Sequence, residues 1–282
     1  MKKYLNNIFN RKKHKKEKKS TDDFHEPPSG LQNFLLELGG LSRFTGNFFR
    51  ELFSYPFEIK EFLKQSYRMG LSTLPLIGIT AFIMGLILTL QSRPVLVDFG
   101  AESWLPGMVS VSIVREIGPV ITALICAGKI GSGIGAELGS MRVTEQIDAM
   151  EVSGTNPIKY LVITRVLATT FMIPILVFYS DAISFYGSYV AVNMHGFISL
   201  QLFITQAFET LHYFDIVPAT IKTFFFGFAI GIIGCYKGYY SINGTEGVGR
   251  AANSAVVISS LVIFIIDLIA VQLSEIIHIF SI

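Results

Sequence analysis

GKIGSGIGAELGSMRVTEQIDAMEVSGTNPIKYLVITR, residues 128–165, is a polar, glycine-punctuated segment set between long apolar runs. It carries Lys129, Glu137, Arg142, Glu145, Asp148, Glu151, Lys159 and Arg165. Within it Val143, Ile147 and Met150 recur at i, i+4 and i+7. Glu145, Gln146, Asp148 and Glu151 fill the other face, so the spacing predicts an amphipathic helix over about 140–152. A polar helix across the mouth of a membrane bundle is a surface that another protein can push on.

Working outward, the composition points to a membrane protein. Of 282 residues 51% are hydrophobic and 16% charged, against about 25% charged in soluble domains. The net charge of +2 conceals an asymmetry: nine Lys and Arg against Glu17 give residues 1–19 a charge of +8. Beside membrane spans such a block faces anionic lipid on the cytoplasmic side, and like charges keep it from forming a core. Residues 1–30 are therefore expected to be a disordered, solvated cytoplasmic arm, ending in the breaker cluster HEPPSG. The N-terminus has no apolar core of a cleaved signal peptide. Cys126 and Cys235 lie in apolar runs without CxxC spacing, which excludes a metal or disulfide framework.

Residues 31–70 read as interfacial amphipathic helices. Phe34, Leu38, Leu41, Phe48, Leu52 and Ile59 recur at helical steps between Arg43, Arg50, Glu51, Lys60 and Lys64, with a bend near Pro56. Residues 71–282 form the transmembrane part. A span needs about 20 apolar residues, and five runs qualify: 71–91, 105–127, 157–194, 217–236 and 253–276. The third is long and contains Asp181, which could mark a turn. Splitting it would place Lys237 and Arg250 outside, against the positive-inside rule. The expected topology therefore has five spans, N-terminus in and C-terminus out. Residues 197–214 become a partly helical outer segment with an apolar stripe. The fold class is an all-α integral membrane protein.

Residues 131–136, GSGIGA, fit a relaxed dinucleotide fingerprint, but a span precedes them rather than a strand. Gly131, Gly135 and Gly139, at i, i+4 and i+8, instead suit close helix packing in a bilayer. No GxxxxGK[ST], HExxH or GxSxG is present, so nucleotide binding by a P-loop is excluded. His195, His212 and His278 read as outer-side surface or interface residues. Charges inside spans cost about 2.5–3.5 kcal/mol each at a helix centre. Arg115, Glu116, Asp181, Lys222 and Asp267 therefore need partners or a wet cavity. Arg115 and Glu116 point about 100° apart on a helix: one pairs with Asp181 or Asp267, and the other lines a cavity. Interhelical pairing that fixes the bundle and a polar rim around a substrate path both fit.

Two stretches carry a family resemblance. Residues 115–168, REIGPVITALICAGKIGSGIGAELGSMRVTEQIDAMEVSGTNPIKYLVITRVLA, resemble the signature of the MlaE/YrbE family of ABC-transporter permeases. Residues 237–260, KGYYSINGTEGVGRAANSAVVISS, resemble its second signature, with AANSA at 251–255 where the family more often has a Thr-rich ATTxA. Glycines Gly244, Gly247 and Gly249 suit a tight cytoplasmic turn.

The resemblance implies a homodimeric permease of the inner membrane, with an interfacial N-terminal helix and five transmembrane helices. It further implies a cytoplasmic ABC ATPase, commonly a small STAS-type accessory subunit, and a periplasmic MCE-domain protein. The cargo would be phospholipid or a related lipid, moved between inner and outer membranes. No enzymatic activity or directly bound cofactor is expected of this chain; ATP and Mg belong to the partner ATPase, and nucleic acid is no partner. On this reading Arg142, Glu145, Gln146, Asp148 and Glu151 contact the ATPase. Lipid occupies a cavity between subunits lined by the first, second and fifth spans, with Glu116 as its polar group. An ion-gradient-driven secondary transporter and a non-transporting membrane scaffold are the alternatives; the first would show internal repeats, and none is seen.

Overall fold

The computed structural model describes residues 30–53, 58–194, 196, 198–242 and 244–280, with side chains described for 35–53 and up to 276. The basic arm to residue 29, the bend at Pro56, and His195 lie outside these residues, as does the side chain of His278. The chain divides into two units, 1–44 and 45–282. Of the first, residues 30–44 are helical; the apolar spans all belong to the second.

Eight helices are described: α1 Gly30–Leu52, α2 Ile59–Asp98, α3 Glu102–Val143, α4 Gln146–Val152, α5 Ile158–Asn193, α6 Leu200–Glu209, α7 Tyr213–Tyr239 and α8 Gly244–Phe280. Five of them, α2, α3, α5, α7 and α8, are long and apolar enough to cross a membrane. The helical state follows from the solvent: in hydrocarbon every backbone N–H and C=O must be satisfied within the segment. The third apolar run is a single helix, α5, interrupted neither at Pro174 nor at Asp181. Residues 59–70 belong to the same helix as the first span, so the boundary drawn at 70 falls inside α2.

Small residues set the packing. At Gly85 on α2 an added Cβ would collide with the Ser184 carbonyl of α5, and at Gly187 on α5 with the Phe82 carbonyl of α2. The seam is closed by Thr89 and Ser188, whose hydroxyls lie 2.7 Å apart, and by Ser184, which donates to the Ala81 carbonyl at 3.0 Å. Gly135 and Gly139 lie against α8, near the backbone of Ala251, Ala252 and Val248, while Gly131 meets Ile230 of α7. At the other end of the bundle α6 buries Phe203 with Leu105, Val109, Ile113 and Val192. Its first turn is capped by Ser199, which accepts from the Leu202 N–H at 3.3 Å.

The opening segment differs from expectation. Residues 128–143 continue the helix of the second span, and a helix restarts only at Gln146. Between them Glu145 adopts φ 58°, the left-handed region that breaks the helix and turns the chain. Arg142 thus belongs to the end of α3, not to α4.

Candidate functional site

Lys222 of α7 is buried and donates to Glu116 of α3 at 2.9 Å and to Asp267 of α8 at 2.8 Å. One cation therefore ties three spans together, against two carboxylates. A charge-assisted hydrogen bond is roughly twice as strong as a neutral one, and an unpaired buried charge would be costly. Next to it Arg115 pairs with Asp215 at 3.6 Å. Asp215 also accepts from the His212 backbone N–H at 3.0 Å, capping the start of α7. Arg115 and Glu116 diverge within a π turn, Ile113–Ile117, so each reaches a different carboxylate or cation.

Pairing differs from expectation: Arg115 and Glu116 pair with Asp215 and Lys222, and it is Lys222 that takes Asp267. Neither Arg115 nor Glu116 pairs with Asp181. That side chain is buried against α3 at Gly118, where a Cβ would collide with its Oδ1. Its Oδ1 has no hydrogen-bond partner among the described residues, and it borders a void of 10 Å³ with Thr220 and Thr223. Lys222 is the hub of the cluster, and Asp215 was not singled out from sequence. Only its spacing from His212, that of a cap, could have flagged it.

Above Lys222 the fourth and fifth spans part. A cleft of 570 Å³ opens between them, walled by Val217, Ile221 and Phe225 of α7 and by Ile269 and Leu273 of α8, with Lys222 among its lining. Within one chain, therefore, the large apolar cleft involves the fifth span and its neighbour the fourth; the first and second contribute no lining. Its lining is almost entirely apolar, with Lys222 the one charged residue in it, which fits long alkyl chains.

At the opposite end, the five residues expected to contact an ATPase sit on or beside α4. Arg142 pairs with Asp148 across the Glu145 turn. Gln146 donates to the Thr144 hydroxyl at 3.0 Å, and Glu151 accepts from the Tyr239 hydroxyl of α7 at 3.1 Å. Ile147 is fully buried. Asn156 caps α5 and donates to Glu51 of α1 at 3.1 Å. The segment is thereby pinned to the ends of α3 and α7. Among the described residues no three His, Cys, Asp or Glu side chains converge as for a metal.

Five helices long and apolar enough to cross a membrane, with an apolar cleft between the fourth and fifth, make this a multi-pass α-helical membrane protein. The family described as permease MlaE matches residues 62–273, and the chain belongs to that family. Relatives agree. A probable ABC transporter permease protein of Rickettsia felis is 38% identical over 240 residues, 85% of this chain and 93% of its own. The intermembrane phospholipid transport system permease protein MlaE of Haemophilus influenzae is 34% identical over 208 residues, 73% of this chain and 80% of its own. The chloroplastic protein TRIGALACTOSYLDIACYLGLYCEROL 1 of Arabidopsis thaliana is 34% identical over 207 residues, covering 73% and 59% respectively.

Proposed function

We propose that this permease is the membrane subunit of an ATP-driven transporter that moves phospholipid between the inner and outer membranes. The observation that carries the reading is the apolar cleft between α7 and α8, which Lys222 borders while pairing with Glu116 and Asp267 behind it. Its walls suit acyl chains. The Haemophilus relative's name, a phospholipid transport permease, supports the cargo.

Two copies complete the transporter. The first and fifth spans have only 28% and 17% of their apolar windows covered, against 67% for the third, which leaves both available to a second subunit. The cytoplasmic ATPase, which holds ATP and Mg, docks on α4 through Glu145 and its neighbours. With α4 inside, the positive-inside count puts the N-terminus in the cytoplasm and α6 outside. There an MCE-domain protein receives the lipid; a STAS-type subunit completes the inner side.

Reconstitution with the ATPase tests this. Labelled phospholipid is expected to leave vesicles for an acceptor only when ATP is supplied. Movement driven by an ion gradient without ATP would reject the reading. Glu145→Lys is expected to lose the ATPase on co-purification; full recovery with coupled hydrolysis would remove α4 from the docking surface.

A further inference from the structure

A second charged group lies at the α4 end of the membrane-spanning region. Glu137 of α3 accepts from Arg165 of α5 and from Arg68 of α2, each at 3.2 Å. Arg165 is buried and also donates to the Leu161 carbonyl at 3.0 Å. Lys129, within the π turn Ala127–Gly131, donates to the Ser72 carbonyl of α2. Gln65, Arg68, Ser72, Lys129 and Glu137 border a void of 140 Å³ between α2 and α3. One water needs about 10–15 Å³ on this scale, so the space admits a group of several heavy atoms.

Depth and charge say what kind of group. The apolar run of α2 begins at residue 71 and that of α3 ends at 127, so Arg68, Ser72 and Lys129 stand where hydrocarbon gives way to headgroups. Arg68 and Lys129 border the void with one carboxylate, Glu137, a surplus of one positive charge, and the buried Arg165 pairs with Glu137 from outside the lining. Glu61 nearby is balanced by Lys64 at 3.5 Å. Arg68 spends one of its five N–H groups on Glu137, and Lys129 one of three on Ser72. A phosphodiester, one charge shared by two oxygens, matches that guanidinium fork and ammonium. On α2 the residues Arg68, Ser72, Leu76, Ile79 and Ile83 follow one another at three- and four-residue steps, so they form one stripe. Its three apolar members are exposed.

We propose that this void holds the phosphate of an anionic glycerophospholipid from the leaflet on the α4 side. Arg68 and Lys129 ligate the phosphate, and the acyl chains run along Leu76, Ile79 and Ile83. The site is separate from the α7–α8 cleft and needs neither ATPase nor ATP.

The test is native mass spectrometry of the purified full chain, carried from nanodiscs of phosphatidylglycerol or of phosphatidylcholine. Phosphatidylglycerol is expected to be retained in preference. Arg68→Gln and Lys129→Gln should each weaken its retention about fivefold, the effect of one basic group beside anionic lipid, and Arg68→Lys should recover most of it. Lys129→Gln keeps a donor for Ser72, and helix content with the size-exclusion profile confirms that each variant is folded. Arg250→Gln, at an exposed arginine outside the void, should leave retention unchanged. Three results would overturn the site: unchanged retention in both glutamine variants, an equal loss in Arg250→Gln, or full displacement by millimolar inorganic phosphate. The first two would leave only boundary lipid, the third a free-anion site. Because no ATP is present, none of them bears on the transport reading.

Discussion

Two pairs of spans meet in opposite ways. Along α2 and α5, glycines and hydroxyls bring backbone against backbone: Gly85 on the Ser184 carbonyl, Gly187 on the Phe82 carbonyl, Thr89 on Ser188. Along α7 and α8, the halves remote from α4 carry Val217, Ile221, Phe225, Ile269 and Leu273, and a 570 Å³ cleft separates them. Both faces are apolar, so hydrophobicity does not distinguish them. In a bilayer a leucine gains little by leaving acyl chains for another leucine, whereas small residues gain close van der Waals contact and hydrogen bonds. The first pair is a fixed seam, and the second is open to lipid because its large side chains lose nothing by contacting lipid instead.

The sharpest way to break this contrast is Gly187→Leu, which drives a side chain into the Phe82 backbone. It is expected to destabilise the protein by about 3 kcal/mol or more, the upper range for overpacking, seen as a lower unfolding midpoint in detergent. A mild effect would show that the seam yields. Next comes Lys222→Met, which strands two carboxylates. Removing one partner of a fully enclosed pair costs about 3–5 kcal/mol. The Glu116 side chain is 42% exposed, so about 2–3 kcal/mol is expected, with recovery when Glu116→Gln and Asp267→Asn are added. No recovery would mean that Lys222 acts by packing alone. The smallest effect belongs to Arg115→Gln. Its pair with Asp215 is long and its side chain 44% exposed, so under about 1 kcal/mol is expected; a larger loss would make it a second anchor of the cleft.

Much of this was legible in the sequence. Five apolar runs and the distribution of Lys237 and Arg250 were enough to keep α5 whole across Asp181. Gly131, Gly135 and Gly139 stood out by their spacing. Gly85 and Gly187 did not, because their partners lie about a hundred residues away and only the fold brings them together. The same holds for Lys222 as the hub: three charges on three separate spans carry no mutual signal in one dimension. Asp215 was hidden for a further reason, since it sits at a helix start where a cap is an ordinary use. The extent of α4 differs from the sequence pattern because one residue, Glu145, takes a backbone conformation that its side chain does nothing to announce.

The π turns of α3, at Ile113–Ile117 and Ala127–Gly131, have a consequence for the family's tolerance of change. Each holds one residue more than an α turn, and one residue amounts to about 100° of rotation. They therefore act as phase shifters along one continuous rod. The face that offers Glu116 to Lys222, the face that carries Lys129 and the face that sets Gly135 and Gly139 on α8 are indexed separately. A single-residue deletion in the first π turn would leave an apolar helix still long enough to span, yet rotate its charged signature out of step with everything below it.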